Sequence, residues 1–273
     1  MAVFYDTHAH LDYQDFAPDF DQVVERARAA GITRMVSIGT DLESSRRAIE
    51  LAERHPAIYA AVGWHPGNAN EAPDDLRPAL RALAAHPKVV ALGETGLDYY
   101  RMPSQQAGGT VADDERYRRN QARLFAQHLE LAVELGLPLV IHQRASLSAI
   151  LEQMQPFAGR VRAVFHCFSE PPPVLERILA MSCLVSFTGI LTFKNGQNVR
   201  ESLAAAPLGR FMLETDCPYL TPEPFRKTVR RCEPAFVREI AVVAAQVKGC
   251  SLDELSAATC RTAQAFFGRM PPA

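Results

Sequence analysis

One pattern recurs along most of the chain: an amphipathic helical segment ends at glycine or proline, and a short apolar run follows it. In the first helical segment Phe20, Val23 and Ala27 lie on one face, and Gly31 is placed to end the helix. The apolar runs show no polar–apolar alternation, which is typical of parallel strands that helices cover. The units read RAAGITRMVSIG, ERHPAIYAAVG, AAHPKVVALG, VELGLPLVIH and FAGRVRAVFH.

The chain contains eight strand-like segments, with helical segments between them. Eight alternating strands and helices predict an α/β fold in which a parallel sheet closes into a TIM (β/α)8 barrel. The alternative is an open doubly wound sheet, but no GxGxxG turn follows the first strand. The length of 273 residues suits one barrel, so we predict a single domain over residues 1–273. We expect the strands to end near His10, Ile38, Val62, Gly93, Ile141, Phe165, Phe187 and Thr215.

The gap between the fourth and fifth strands, from Gly93 to Ile141, is longer than the others. Its first part, ETGLDYYRMPSQQAGGTVADDERYRRNQ, is polar and contains several glycines. We therefore predict a mobile loop over the mouth of the barrel, followed by a helix over ARLFAQHLELAVELG. Two more helical patterns, at about 234–247 and 252–267, end the chain.

Composition excludes several classes of protein. The formal net charge is -2, so a global basic field that would steer nucleic acid is absent. The 6 cysteines contain no CxxC pair, which argues against a structural zinc site of the finger type. No signal segment precedes the first strand, and no apolar run approaches the roughly 18 residues of a membrane helix. We expect a cytoplasmic monomer with reduced thiols and no membrane contact.

Ionisable residues are concentrated at the carboxyl ends of the predicted strands, where barrel enzymes have their active sites. His8 and His10 are two residues apart on the first strand, so both project to the same face. Such a pair alone is better explained as a polar strand end, but six ionisable groups that converge without a metal would carry a large desolvation penalty. We predict a divalent metal site, with two ions if one carboxylate bridges them. The six are His8, His10, Glu94, His142, His166 and Asp216.

A two-metal site of this kind hydrolyses esters, amides or phosphodiesters. Ser169 offers no competing nucleophile, since it lacks a GxSxG elbow. Two basic clusters border the mouth, one at positions 116–123 and one at 226–231. Acidic neighbours favour a solvated helix face for the first cluster, and the second is the better phosphate contact. The substrate contacts that we predict are His65, Asp98, Tyr99, Arg144 and Arg226.

Several motifs resemble the TatD family of metal-dependent deoxyribonucleases, in the amidohydrolase-like barrel superfamily. They read DTHAHLD, GWHPG, GETGLDYY, FHCFS, TGILTFKN and LETDCPYLTPEPFR, and the resemblance extends from Asp6 to Glu233. It implies hydrolysis of DNA or another phosphodiester, with 3'-to-5' exonuclease character, by a hydroxide that two ions activate. The resemblance leaves Zn, Mn or Mg open as the metal.

The resemblance also implies a role for each ligand. His8 and His10 would hold one ion together with Asp216, and His142 and His166 would hold the second. The resemblance makes Glu94 the bridge between the ions, while Asp216 orients the hydroxide or accepts its proton.

Three positions depart from the family pattern: Ala145 where an acidic residue is usual, Glu170 in place of Gly, and Cys232 in place of Asn. None is a predicted ligand, so the departures concern the walls of the mouth and the choice of substrate.

Two other functions compete with a nuclease. An amide or ester hydrolase, acting on cyclic amides, lactones or D-aminoacyl esters, would use the same scaffold. Many such enzymes bridge their metals with a carboxylated lysine on strand four, whereas here Glu94 has that place and Lys88 lies at the opposite end. A non-catalytic scaffold with a relic site is the third possibility, but such a chain would be expected to have lost ligands.

Overall fold

The structure is a computed structural model that describes residues 2–271, so Met1, Pro272 and Ala273 of the predicted domain lie outside the described residues. Within that range strands and helices alternate as the sequence predicts. The strands are β1 Phe4–Ala9, β2 Ile32–Ile38, β3 Ile58–Val62, β4 Val89–Asp98, β5 Leu139–Arg144, β6 Ala163–Phe165, β7 Leu184–Phe187 and β8 Phe211–Leu213. The helices are α1 Phe20–Ala29, α2 Leu42–Arg54, α3 Arg77–Ala84, α4 Val111–Leu135, α5 Leu147–Met154, α6 Pro172–Ala180, α7 Gln197–Ala205, α8 Val237–Lys248 and α9 Leu252–Phe267.

The strands form one parallel sheet in the order β1 to β8, which confirms the predicted TIM barrel. The sheet closes between β1 and the segment that follows β8. There the backbone N–H of His10 donates to the carbonyl of Cys217 at 2.8 Å, and that of Asp216 donates to the carbonyl of His8 at 2.9 Å. The seam of the barrel therefore joins predicted ligands from the first and last strands.

The alternation of side chains along each strand decides which residues face the barrel interior. Val140, Val164 and Met212 pack together inside the barrel, whereas their neighbours in the chain pack against the helices. Because side chains repeat with a period of two, His142 and His166 continue the inward faces of β5 and β6. The same period places Glu214, two residues after Met212, in the interior.

Helix α9 covers the amino end of the barrel. Phe266, Phe267 and Met270 pack in the same cluster as the inward-facing strand residues. Arg269, which follows the helix, donates hydrogen bonds to the carbonyls of Ala84 and Val89 at 2.9 and 3.0 Å. This end is thus filled by apolar side chains and closed by hydrogen bonds, which leaves the carboxyl end as the open mouth.

Three predicted boundaries are wrong, and one of them is the end of β5, which lies at Arg144 and not near Ile141. Strand β4 continues past Gly93 to Asp98, because its second half pairs with β5 as far as Arg144. Helix α4 begins at Val111, well before the predicted start, because Thr110 forms a capping box with Asp113. The segment that we predict as a long loop is therefore limited to residues 99–110, between β4 and α4.

No helix within residues 2–271 is long and apolar enough to cross a membrane.

Candidate metal centre

The six predicted ligands converge at the carboxyl end of the barrel, and they divide into two sets around the carboxylate of Glu94. In the first set, Nε2 of His8 and Nε2 of His10 lie 3.6 and 3.4 Å from Oδ1 of Asp216. The same two nitrogens lie 3.5 and 3.8 Å from Oε2 of Glu94. These four side chains come from β1, β4 and the turn after β8.

The second set faces the other oxygen of the same carboxylate. Nδ1 of His142 lies 2.9 Å from Oε1 of Glu94, and Nε2 of His166 lies 2.8 Å from it. The two nitrogens are 3.4 Å apart. Each oxygen of Glu94 thus belongs to a different group of histidines, as expected for a carboxylate that bridges two ions.

Backbone conformation places the two carboxylates. At Gly96, φ is +131°, and a Cβ there would lie 2.1 Å from the carbonyl oxygen of His142. Glycine therefore lets β4 approach β5 closely enough to bring Glu94 against the imidazoles. Asp216 has a left-handed φ of 57°, which is costly for a residue with a side chain. The backbone hydrogen bond to His8 holds this strained residue at the seam of the barrel.

The charges of the centre stabilise one another. Burial opposes ionisation of Glu94, but His166, His65 and His142 outweigh it and hold the pKa of that carboxyl well below its usual value. Burial likewise opposes ionisation of Asp216, and His10, His8 and His166 lower its pKa nevertheless. For His8, burial dominates and lowers the pKa, so its ring is neutral. Burial also opposes protonation of His10, His142 and His166, but the neighbouring carboxylates outweigh it and raise their pKa values. A divalent cation binds neutral imidazole, so it would displace protons from these three rings.

One buried polar atom without a hydrogen bond supports the fit of a metal. Nε2 of His8 faces Glu94 and Asp216, is buried, and makes no hydrogen bond within the described residues. An orphaned buried nitrogen costs roughly 1–3 kcal/mol, which a bound ion at this position would recover. The donor atoms of His8, His10 and Asp216 lie within 4.8 Å of one another, as do those of His8, Glu94 and His166.

His65 lies beside the second set, where its ring is a hydrogen-bond donor. Its Nε2 is 3.3 Å from Nδ1 of His142 and 3.5 Å from Oε1 of Glu94. Its Nδ1, however, accepts a hydrogen bond from the backbone N–H of Gly67 at 2.9 Å, so the neutral ring carries its proton on Nε2. Burial lowers the pKa of His65 to about 4, which keeps the ring neutral. The ring therefore presents an N–H donor to the centre.

Asp98, which we predict as a substrate contact, lies against the predicted ligand His142. Its Oδ2 is 3.1 Å from Nε2 of His142. If Nε2–H donates to this carboxylate, the lone pair of Nδ1 is directed at Glu94 and His166. The structure thus gives Asp98 the position of a residue that orients His142.

Two buried carboxylates beside the centre are absent from the prediction. Oε1 of Glu214 accepts a hydrogen bond from the backbone N–H of Cys167 at 2.7 Å and lies 3.6 Å from Nδ1 of His166. Asp6 accepts hydrogen bonds from the backbone N–H and hydroxyl of Thr215, at 2.9 and 2.5 Å. The period of two could have identified both, because Asp6 is two residues before a ligand and Glu214 two before Asp216.

A cavity of about 270 Å³ lies over the centre, and Tyr13, Thr40 and Tyr219 line it together with all the predicted ligands except His8. A second cavity of about 430 Å³ shares His142, His166, Asp216 and Tyr219 with the first. Arg144 lines the second cavity, and its guanidinium lies 3.7 Å from the centroid of the Tyr100 ring. The guanidinium of Arg226 lies equally far from the ring of Phe193.

In each of the two basic clusters some residues pair with carboxylates and others do not. In the first cluster Arg116, Arg119 and Arg123 pair with Asp113, Glu115 and Asp74. In the second, Arg231 pairs with Asp19 and Glu233. Among the described residues, no carboxylate lies within 4.0 Å of the basic groups of Arg118, Arg226, Lys227 or Arg230.

Comparisons with known proteins agree with this geometry. Residues 5–268 match the family described as TatD related DNase. The chain is 35% identical to "Uncharacterized metal-dependent hydrolase YabD" of Bacillus subtilis, over 96% of this chain and 98% of that protein. It is also 35% identical to "3'-5' ssDNA/RNA exonuclease TatD" of Erwinia tasmaniensis, over 96% and 99%. The crystal structure of YJJV, a TatD homologue of Escherichia coli, superposes with a TM-score of 0.86, at 28% identity over 98% of each chain.

Proposed function

The chain belongs to the family of TatD related DNases, a metal-dependent hydrolase family, and we propose that it removes nucleotides from DNA in the 3'-to-5' direction. The observation that supports metal-dependent hydrolysis is the division of the Glu94 carboxylate, since Oε2 faces His8 and His10 while Oε1 faces His142 and His166. That division suits two divalent ions that share one carboxylate. The DNA substrate and the direction rest on the family and on the relative from Erwinia tasmaniensis. Nitrogen-rich ligand sets favour Zn or Mn over Mg, and the metal series below distinguishes them.

Bound divalent ions would neutralise the phosphoryl oxygens and lower the pKa of an attacking water. The residues of the chain supply the rest. Asp216 is ionised and accepts the proton of the water through its carboxylate. His65 donates its Nε2–H to a phosphoryl oxygen, because the hydrogen bond from Gly67 fixes the proton on that nitrogen. Arg144 approaches the same phosphate from the rim and binds it as a fork of donors.

The position of Lys88 weighs against the amide or ester hydrolase. Its Nζ donates to the carbonyls of Pro56 and Ile58 at 2.9 and 3.2 Å, at the amino end of the barrel. No lysine is among the described residues that line the two cavities at the mouth. A carboxylated lysine therefore has no place in this centre, and Glu94 is the residue that would hold both ions.

The first experiment measures hydrolysis of single-stranded DNA that carries a label at either end. Purified protein is stripped with a chelator and then given Mg, Mn or Zn, beside the variants His10→Ala and His86→Ala. We expect loss of a 3' label first, no activity after chelation, and activity in His86→Ala but not in His10→Ala. His86 is the matched control, since it pairs with Glu53 away from the centre.

The same assay separates the alternatives. RNA of the same sequence tests whether the polymer must be DNA, and a panel of lactones, cyclic amides and D-aminoacyl esters tests the other hydrolase. Faster turnover of that panel than of DNA would refute the proposal. Fewer than about one ion per chain in protein purified without chelator would favour the relic scaffold.

We further propose that residues 1–273 form one cytoplasmic domain that acts as a monomer. Light scattering of the purified protein tests the monomer, limited proteolysis tests the single domain, and cell fractionation tests the location.

A further inference from the structure

A third cavity, of about 530 Å³, lies beside the mouth and is lined by residues of three segments. Tyr99 and Arg118 come from the region between β4 and the middle of α4, Gln143 and Ala145 from the end of β5, and Glu170 from the loop before α6. Gln143 also lines the 430 Å³ cavity, which reaches His142, His166 and Asp216. The third cavity is therefore adjacent, at Gln143, to the cavity that reaches the metal centre.

Arg118 differs from the other arginines of its helix. Arg116, Arg119 and Arg123 all pair with carboxylates, whereas the guanidinium of Arg118 lies 5.2 Å from the centroid of the Tyr99 ring and pairs with no described carboxylate. The ring positions this cation without neutralising it. An exposed arginine of this kind, on the wall of a cavity, can bind an anion without first breaking an ion pair.

Arg144 repeats this arrangement closer to the metal centre. Its guanidinium lies over the ring of Tyr100, and it too has no carboxylate within 4.0 Å among the described residues. Arg144 and Arg118 thus place two guanidinium groups along one side of the mouth, each on an aromatic ring and each without a described carboxylate within 4.0 Å. Alternating cations and aromatic faces suit a single nucleic-acid strand, whose phosphates and bases alternate in the same way.

We propose that the cavity lined by Tyr99, Arg118 and Gln143 is a binding subsite for the nucleotide on the 5' side of the scissile phosphodiester. Arg144 binds the scissile phosphate, and Arg118 binds the phosphate that follows it into the polymer. The strand crosses the carboxyl end of β5 and leaves over the exposed side chains of Arg118 and Ala145. This proposal rests on the nuclease function proposed for the chain. It adds the path of the strand and assigns to Arg118 the contact that only strands longer than a dinucleotide can make.

The wall of this cavity also includes Ala145 and Glu170, two positions at which the sequence departs from the family pattern. Ala145 has a left-handed φ of 54°. The subsite is therefore the part of the mouth in which this chain differs most clearly from that pattern, while the ligands are unchanged.

The test compares Arg118→Gln with Arg119→Gln, which removes the same charge from the next residue of the helix. Arg119 is exposed and pairs with Glu115, so its variant is the control. For hydrolysis of an oligothymidylate of eight nucleotides, we expect Arg118→Gln to raise KM about tenfold and leave kcat within about twofold. The slope of log KM against log salt concentration should also decrease by about one, because one phosphate contact is lost.

A dinucleotide has one phosphodiester and offers no further phosphate, so both variants should cleave it as the unchanged protein does. Arg118→Lys should recover part of the lost affinity, because it restores the charge without the fork of donors. Equal KM values for Arg118→Gln and Arg119→Gln on the octanucleotide would overturn the subsite, as would an equal loss on the dinucleotide.

A binding assay keeps this outcome separate from that of the proposed function. Fluorescence anisotropy of a labelled octanucleotide, with metal chelated, measures the subsite without hydrolysis. Protein that binds DNA through Arg118 but does not cleave it supports the subsite and refutes the nuclease. Protein that neither binds nor cleaves the octanucleotide overturns both.

Discussion

At the amino end of the barrel Lys88 and Arg269 each donate hydrogen bonds to two backbone carbonyls, whereas at the carboxyl end neither ring nitrogen of His8 makes a hydrogen bond within the described residues. Of the five described residues with a side chain and a left-handed φ, Ala145, Cys167, Asp216 and Leu220 border the mouth, and Ser182 lies at the amino end before β7. Strained backbone is thus concentrated at the mouth.

This difference shows how one fold separates stability from chemistry. A polar group that already has all its partners contributes to folding but binds nothing more. Orphaned nitrogens, close carboxylates and strained backbone cost folding free energy, and a bound ligand recovers that cost. The carboxyl end of this barrel is therefore preorganised for ions and phosphate at the expense of stability, and the amino end offsets the loss.

The largest expected effect is at Asp216. Asp216→Asn keeps the shape of the side chain but removes the charge that faces His8 and His10. We expect kcat/KM for single-stranded DNA to fall by about 10³-fold or more, roughly 4 kcal/mol, without loss of stability in the chelated protein. Thermal unfolding and metal-dependent hydrolysis measure the two quantities. Asp253→Asn, on the exposed start of α9, is the control and should retain activity.

A smaller effect is expected at His128, a buried histidine that has the partners His8 lacks. Its Nδ1–H donates to the carbonyl of Leu124 at 2.7 Å, and its Nε2 accepts from the backbone N–H of Trp64 at 3.2 Å. Burial lowers its pKa from 6.5 to about 4. Because the folded pKa is below the unfolded one, the contribution to stability is present above pH 6.5 and is lost as the pH falls toward 4.

We expect this loss to be on the order of 3 kcal/mol. Urea unfolding of the unchanged protein and of His128→Gln, measured between pH 7 and 4, isolates it, since other titrating groups cancel in the difference. If the two stability curves run parallel over this range, the burial of a neutral His128 does not explain the pH dependence.

Next in size is the effect of Glu214, which lies behind His166. Glu214→Gln keeps an acceptor for the backbone N–H of Cys167 but removes the charge beside Nδ1. Replacement of a carboxylate that orients a metal-binding histidine typically lowers metal affinity by about 10–100-fold. We expect a loss in that range when a chelator competes for the metal, with kcat at saturating metal changed less. Unchanged affinity would mean that Glu214 only fixes the backbone of the β6 end.

The smallest effect is expected at the amino end. Arg269→Met removes the hydrogen bonds to Ala84 and Val89, and should lower the free energy of unfolding by about 1–2 kcal/mol. Hydrolysis at a temperature below the transition should be unchanged. Arg261→Met, an exposed position on α9, should alter neither quantity. Loss of activity in Arg269→Met without loss of stability would contradict the separation between the two ends.

Much of the fold followed from patterns within short segments. Apolar runs without alternation predicted the eight strands, and the six candidate ligands lie on or just beyond strands at the mouth. The start of α4 did not follow, because the capping box of Thr110 outweighed a polar, glycine-containing stretch that is typical of a loop. The length of β4 did not follow either, since pairing with β5 carried it beyond the glycines that suggested its end.

The sequence by itself determined which candidate ligands face the barrel interior, because residue type and the period of two along a strand are local properties. The tertiary structure decided which of these side chains contact one another. Only the approach of distant strands shows that each oxygen of Glu94 faces a different pair of histidines, or that Gly67 fixes the proton of His65. The same holds for Arg118 and Arg119, adjacent residues of one charge, since packing against Tyr99 or pairing with Glu115 depends on neighbours that no local pattern specifies.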